Sequence, residues 1–242
     1  MPRAPKRTRP PAFSPQELAR LEQVEKGLTW LRSKLQQTEE TEPAAKHEGE
    51  PEAKPRHATY ADLEAVPANK VAELIGGELI VMPRPAPRHA NAAGTLLAEL
   101  HGPFQRGRGG PGGWWILPEP ELHFPDPTKA NPFDALVPDL AGWRRERLPE
   151  LPADAFFTLA PDWICEVLSK STEADDRNKK MPSYAREGVG HAWLIDPVKR
   201  TLEVFVLGKR KRWGKPATYK GVARVRLPPF EAFELDLSVL WA

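Results

Sequence analysis

The sequence is poor in cysteine and in long apolar runs, and both absences bear on the cellular compartment in which the protein is expected. Cys165 is the single cysteine among 242 residues, so no disulfide can form within the chain. Such cysteine usage is typical of a reducing cytoplasm. No apolar run approaches the roughly 18–20 residues that a membrane-spanning helix needs. The basic residues Arg3, Lys6 and Arg7 precede no apolar run. We therefore expect a cytoplasmic protein without a membrane-spanning segment or a secretory signal.

The chain also lacks an excess of charge of one sign. Its 35 lysines and arginines nearly balance 33 aspartates and glutamates, which leaves a formal net charge of +2. The overall charge therefore does not indicate a nucleic-acid-binding protein, and any basic binding surface must be local. The stretch Lys209–Arg212, followed by Trp213, is the best local candidate for phosphate contacts, although a solvated hairpin tip would have the same pattern.

Proline is abundant, with 28 residues, and its distribution divides the chain. Residues 1–13 combine proline with arginine and lysine and offer no apolar surface to pack. Residues 39–56 hold six glutamates and three prolines without apolar periodicity, which is typical of a linker. We expect an N-terminal extension and linker over 1–56 and one globular domain over 57–242.

A helix is predicted within the extension. Ser14, Pro15 and Glu17 form the pattern of a capping box at its start. Apolar residues then recur at alternating spacings of three and four, as in a coiled-coil seam. They are Leu21, Val24, Leu28, Leu31 and Leu35. This stripe fits packing against the chain's own domain and a homodimer through the helix equally well.

The pattern after residue 57 predicts an α/β fold. Helical spacing is found over 60–74, over 89–100 and, in a more polar segment, over 172–187. Apolar runs typical of strands lie between these segments and after the last of them, at 78–82, 114–124, 135–141, 162–169, 191–196 and 201–207. Helices that alternate with strands in this order indicate a mixed sheet flanked by helices.

Two carboxylates stand alone inside apolar runs. Asp139 lies within residues 136–141 and Glu166 within residues 163–169. A lone buried charge is costly unless it is paired or binds a metal, and Mg²⁺ favours one or two carboxylates with water and phosphate oxygens. Asp162 competes with Asp139, but along one strand it would lie roughly 13 Å from Glu166. Asp139 and Glu166 are therefore the predicted metal ligands.

The residues around Glu166 resemble a known family. The run Pro161–Ser169 is followed in order by Ser171-Thr172, Asp176-Arg177, Lys180, Tyr184-Ala185, Gly188-Val189 and Trp193–Pro197, and is preceded by Gly77–Leu79, His89 and Val137–Asp139. This order is similar to that of the Uma-two family of restriction endonucleases, over about residues 58–240. The resemblance implies the PD-(D/E)XK nuclease-like fold, with Mg²⁺ or Mn²⁺ at Asp139 and Glu166 and hydrolysis of DNA phosphodiester bonds.

The chain departs from the wider superfamily at the lysine of the D/E-x-K pattern. That position, two residues after Glu166, is occupied by Leu168. The resemblance suggests that Lys180, on the following helical segment, takes the role of catalytic lysine. Pro182 is an obstacle, because proline is tolerated in a helix only in its first turn. Glu78 is a candidate additional metal ligand, although an ordinary glutamate at the start of a strand would have the same pattern.

Two functions from different classes follow from these residues. The first is a Mg²⁺-dependent endonuclease that acts on DNA, with Asp139, Glu166 and Lys180 as catalytic residues. The alternative is a catalytically lapsed module on the same scaffold that binds nucleic acid or another protein, because the lysine within the strand is missing.

The N-terminal stripe gives the first testable prediction. If its apolar residues join two copies, the full-length chain forms a dimer and a truncated protein that begins at His57 is a monomer. Multi-angle light scattering measures the mass of both. The same mass per chain in both proteins would remove the dimer through this helix.

Overall fold

In the computed structural model of the protein, the described residues are 57–125 and 133–241. The predicted N-terminal helix, its apolar stripe and the linker lie outside them, so the dimer and the domain boundary stay predictions. Within the described part of the chain, no helix is long and apolar enough to cross a membrane.

Fourteen strands and four short or medium α-helices make up the described part of the chain. In chain order the strands are β1 (Val71–Ile75), β2 (Glu78–Met82), β3 (Trp114–Pro118), β4 (Glu121–Pro125), β5 (Phe133–Leu136), β6 (Leu140–Arg144), β7 (Phe156–Phe157), β8 (Trp163–Val167), β9 (His191–Asp196), β10 (Thr201–Gly208), β11 (Arg212–Trp213), β12 (Ala217–Lys220), β13 (Arg224–Val225) and β14 (Leu235–Asp236). The α-helices are α1 (Tyr60–Glu64), α2 (Pro87–Leu100), α3 (Glu173–Asp175) and α4 (Met181–Glu187). Two π-helical stretches, His101–Gln105 and Asp176–Lys180, and two 3₁₀ turns, Lys209–Lys211 and Leu237–Leu240, complete the order.

The strands form two larger sheets and one small one. The first has the order β2-β1-β5-β4-β7, the second has the order β11-β10-β9-β8-β6-β3 with β12 also on β10, and β13 pairs with β14. Pairing is antiparallel except between β4 and β7 and between β8 and β9. The predicted α/β fold with mixed sheets is therefore confirmed.

Strand β8 is buried on both of its faces, which explains its unbroken apolar sequence. Trp163, Cys165 and Val167 pack into a core cluster with α2 and the C-terminal segment. Ile164 on the other face, and Leu168 just after the strand, pack into a second cluster that also contains residues of β4 and α4. Because side chains alternate along a strand, Glu166 faces this second cluster.

The helix predicted over 60–74 is wrong beyond Glu64. Pro67 follows the short helix α1, and the chain then forms the strand β1, which pairs with β2 over its whole length. Gly76 and Gly77 connect the two strands with φ of 65° and 82°, a conformation that glycine adopts without strain. The β1–β2 hairpin thus overrides the helical spacing of the apolar residues.

Two further predicted strands are each divided in two. The run 114–124 forms β3 and β4, with a break at Glu119, whose φ is 45°, and Pro120. The run 135–141 forms β5 and β6, with a break at Pro138 and Asp139. At both breaks the chain passes from one large sheet to the other. Proline cannot donate to a strand ladder, which is why each run ends there.

The two breaks lie side by side. The backbone N–H of Glu119 donates to the backbone oxygen of Asp139 over 3.1 Å. Asp139 is therefore not inside a strand, as predicted, but at the junction where two chain segments cross between the sheets.

Gly142 on β6 gives a prediction about stability. An added Cβ would lie 3.2 Å from a ring carbon of Trp163 and 3.3 Å from one of Trp114, closer than an ordinary van der Waals contact. Gly142→Ala should lower the free energy of unfolding by about 1–3 kcal/mol, the usual cost of overpacking. Denaturant titration with circular dichroism measures it.

Gly94 on α2 is the matched control for this substitution. Its added Cβ would meet nothing within 4 Å. Gly94→Ala should raise the free energy of unfolding by up to about 1 kcal/mol, because alanine favours a helix interior. A loss of the same size in both variants would contradict the packing argument.

Candidate active site

The buried ammonium group of Lys180 is the centre of a cluster of carboxylates. Its Nζ lies 2.8 Å from Glu166 Oε1 and 3.0 Å from Glu73 Oε1. Asp176 Oδ1 is 3.6 Å away. All four side chains are buried, and that of Lys180 is only 3% exposed. The cluster joins β1, β8 and the helical segment after β8.

A change of helical geometry allows this segment to hold Lys180 over β8. The chain is α-helical over α3, π-helical over Asp176–Lys180 and α-helical again from Met181. Pro182 is the second residue of α4, at the point where the π-helical stretch gives way to an α-helix, so the helical geometry changes where proline cannot make an α-helical hydrogen bond. Leu168, at the position of the superfamily lysine, is 3% exposed and belongs to the second core cluster. The charge at this site therefore comes from the helical segment.

Asp139 is held by hydrogen bonds at both carboxylate oxygens. Its Oδ1 accepts from His89 Nε2 on α2 over 2.6 Å. Its Oδ2 accepts from the backbone N–H of Val167 over 2.6 Å. Because the next residue, Leu140, pairs with Cys165, the side chain of Asp139 lies beside Glu166. The break between β5 and β6 thus places one carboxylate next to the other.

Tyr184 on α4 fixes the second carboxylate. Its hydroxyl donates to Glu166 Oε1 over 2.5 Å, the same oxygen that contacts Lys180. Glu73 is fixed in a similar way, since its Oε1 accepts from the backbone N–H of Val137 over 2.6 Å. The carboxylates are therefore positioned by donors from several elements of the fold.

The charges in the cluster do not balance. Burial raises the pKa of Glu166 well above its usual value, although the Lys180 ammonium opposes the shift. Burial also raises the pKa of Asp176 to about 6. For Lys180, burial alone would lower the pKa, but the carboxylates of Glu166 and Glu73 outweigh it and hold the pKa well above its usual value. When all of these groups are ionised, one ammonium faces three carboxylates and the site has surplus negative charge, which the raised pKa values of Glu166 and Asp176 partly relieve through protonation.

The surplus negative charge and the carboxylate oxygens of the cluster are suited to a hard divalent cation. Within 57–125 and 133–241, no group of three or more His, Cys, Asp or Glu side chains is arranged to hold a metal ion. Mg²⁺ does not require such a group, because it takes one or two carboxylates and completes its shell with water and phosphate oxygens. Asp139 and Glu166, which line a common cavity, supply that number.

The cavity brings together three of the four predicted site residues. Asp139, Glu166 and Lys180 all line it. Glu78 does not: its exposed carboxylate pairs with Lys179 Nζ over 2.8 Å. Asp162, the competing aspartate, is also elsewhere, paired with Arg147 over 2.8 Å.

Sequence reasoning did not single out Glu73, and it named His89, Asp176 and Tyr184 only as part of the family resemblance, without a role in the site. Glu73 is a lone carboxylate in the apolar run Val71–Ile75, the same signal that singled out Asp139 and Glu166. The helical interpretation of 60–74 concealed it. No spacing rule links Tyr184 or His89 to a strand carboxylate, because these contacts depend on how the helices pack.

Comparisons with known proteins identify a family and a similar fold. The family model Uma2, described as "Putative restriction endonuclease", matches residues 57–239. A crystal structure of "a putative nuclease belonging to DUF820" from Anabaena variabilis is similar in fold, with a TM-score of 0.61 and 22% sequence identity over 76% of this chain and 97% of that one. A comparison with curated proteins finds no match. The structural likeness supports the predicted nuclease-like fold.

The charge balance of the cluster predicts a specific instability. Lys180→Met leaves three buried carboxylates without their cation, so the free energy of unfolding should fall by about 3–5 kcal/mol at pH 8. The loss should be smaller at pH 5. Carboxyl groups whose pKa is raised in the folded state take up protons there and are penalised only as the pH rises. Denaturant titrations at both pH values measure the effect.

Lys179→Met is the control from the neighbouring position. Lys179 pairs with Glu78 and Asp175 at the surface, over 2.8 and 3.0 Å. Such exposed pairs contribute at most about 1 kcal/mol, so little change is expected at either pH. Equal losses in the two variants would show that Lys180 is not the essential counter-ion of a buried cluster.

Proposed function

Since the chain belongs to the Uma2 family of restriction endonuclease-like proteins, we propose that it is an endonuclease that hydrolyses DNA phosphodiester bonds with Mg²⁺ or Mn²⁺. The observation that supports this most directly is the convergence of Asp139, Glu166 and Lys180 on one cavity. Asp139 lies where the chain crosses between the sheets, Glu166 lies on the buried strand β8, and Lys180 lies on the helical segment after it. No single local motif therefore explains why these three side chains are close together.

Asp139 and Glu166 would hold the cation. When bound, a divalent ion lowers the pKa of a coordinated water and neutralises charge on the phosphate. The chain's part is to orient the two carboxylates. His89 and the Val167 N–H fix Asp139, and Tyr184 fixes Glu166. Side chains held in this way lose little entropy when substrate binds.

Lys180 acts in this proposal as a fixed positive charge. Its raised pKa keeps it protonated at neutral pH, so it is not the base that deprotonates water in the resting site. A buried ammonium beside Glu166 can orient the attacking water and stabilise negative charge that develops on the phosphate oxygens.

One observation favours the alternative, a catalytically lapsed module that binds nucleic acid or protein. An ammonium group has three N–H donors. Those of Lys180 are directed to Glu166, Glu73 and the Val137 backbone oxygen, which lies 3.2 Å from Nζ. Lys180 must therefore release one partner before it can contact water or phosphate.

The substitution Asp139→Asn tests the proposed function. It removes one carboxylate charge and keeps the side chain's size, so it should weaken Mn²⁺ binding and reduce cleavage of plasmid DNA by about 10²-fold or more. Calorimetric Mn²⁺ titration and gel assays of plasmid cleavage measure the two effects.

Asp162→Asn is the matched control, because Asp162 lies at the other end of β8 and contacts Arg147 and the Arg144 N–H. It should leave both cleavage and Mn²⁺ affinity unchanged. A wild-type protein that neither binds Mn²⁺ nor cuts DNA would reject the endonuclease in favour of the binding module.

A further inference from the structure

The cavity has a second positively charged side chain whose role the cluster does not explain. Arg84 and Lys180 are the two lysine or arginine residues in its lining. Lys180 is occupied by carboxylates, whereas no carboxylate among the described residues pairs with Arg84. Arg84 Nη2 donates to the backbone oxygen of Ala68 over 2.8 Å, which leaves most of its five N–H donors available.

The backbone around Arg84 is restricted. Pro83 and Pro85 flank it in the loop between β2 and α2, and both also line the cavity. A proline fixes its own φ and restricts the residue before it, so little backbone entropy is lost when Arg84 binds a ligand. The contact with Ala68 further holds the guanidinium in place. Arg84 is thus an exposed but oriented cation at the mouth of an acidic cavity.

Three hydroxyl groups line the same cavity, in the loop after β8. Ser169 Oγ lies 3.0 Å from both Ser171 Oγ and Thr172 Oγ1. The Thr172 hydroxyl hydrogen-bonds the carboxylate of Asp176. This bond lowers the pKa of Asp176, whereas burial raises it. If Thr172 donates to Asp176 and Ser169 donates to Thr172, then Ser171 donates to Ser169 and is the exposed end of the chain of hydroxyls. Its hydroxyl can exchange Ser169 for a ligand without breaking the other two hydrogen bonds.

We propose that Arg84 and the hydroxyl of Ser171, which Ser169 and Thr172 hold in place, bind a backbone phosphate of DNA next to the one that is cut. The inference rests on the proposed function, because it places a polyanion at a site with surplus negative charge. A guanidinium and hydroxyl donors are the groups that bind phosphate oxygens in protein–DNA complexes. The subsite provides the attraction that the carboxylates of the centre cannot.

The test is the salt dependence of DNA binding by the full chain. A short fluorescein-labelled DNA duplex is titrated at several salt concentrations, with Ca²⁺ in place of Mg²⁺ so that binding is measured apart from cleavage. Each phosphate contact contributes about 0.9 to the slope of log K against log salt. Arg84→Met should therefore lower the slope by about 0.9 and weaken binding about tenfold. Ca²⁺ affinity should be unchanged.

Two further variants separate the subsite from general surface charge. Arg88→Met removes a likewise exposed arginine on α2 that does not line the cavity, and should leave the slope unchanged. Ser171→Ala removes a neutral donor, so binding should weaken by about threefold to tenfold with an unchanged slope.

Wild-type binding with the same slope in the Arg84→Met protein would overturn the subsite and leave the proposed function standing. Equal losses in the Arg84 and Arg88 variants would overturn it too, since they would indicate a diffuse basic surface. No binding of the duplex by the wild type would instead contradict the proposed function itself.

Discussion

The buried ion pair between Lys180 and Glu166 is the interaction on which the rest of the site depends. Burying an ammonium group and a carboxylate is expensive unless they meet at short range and the remaining donors and acceptors are satisfied. Here the remaining donors of Lys180 contact Glu73 and the backbone oxygen of Val137. The carboxylate of Glu166 also accepts a hydrogen bond from Tyr184. The β1–β2 hairpin, strand β8 and the segment 173–187 must all be in place for the pair to form. The buried cluster of charges is thereby also a constraint on the fold.

The second constraint is the crossing of the chain between the two large sheets. Prolines end the ladders of β3 and β5, and the segments that follow enter the other sheet. Asp139 lies at one crossing and Glu119 at the other, joined by a backbone hydrogen bond. The crossing places Asp139 beside strand β8, where its side chain lines the same cavity as that of Glu166.

That Asp139 and Glu166 lie at one cavity could be predicted from the sequence, because burying a lone carboxylate in an apolar run costs free energy and therefore indicates a partner. Asp139 and Glu166 were found in that way, and the family resemblance pointed to Lys180 when Leu168 could not carry a charge. Glu73 was missed because the local spacing of apolar residues predicts a helix there. In the structure, the glycine turn and the pairing with β2 make this segment a strand. Glu78 lies one strand further along and pairs with Lys179 at the surface. Contacts such as His89 with Asp139 depend on helix packing, which no local pattern encodes.

The central claim is that Asp139 and Glu166 hold one divalent cation in the cavity that Lys180 lines. Anomalous diffraction from crystals grown with Mn²⁺ tests it most directly. The account predicts a single strong peak within about 2.1–2.2 Å of an oxygen of each carboxylate, with water or phosphate oxygens completing the shell. A site that stays empty at saturating Mn²⁺, or a peak held by other carboxylates without Asp139 and Glu166, would contradict it.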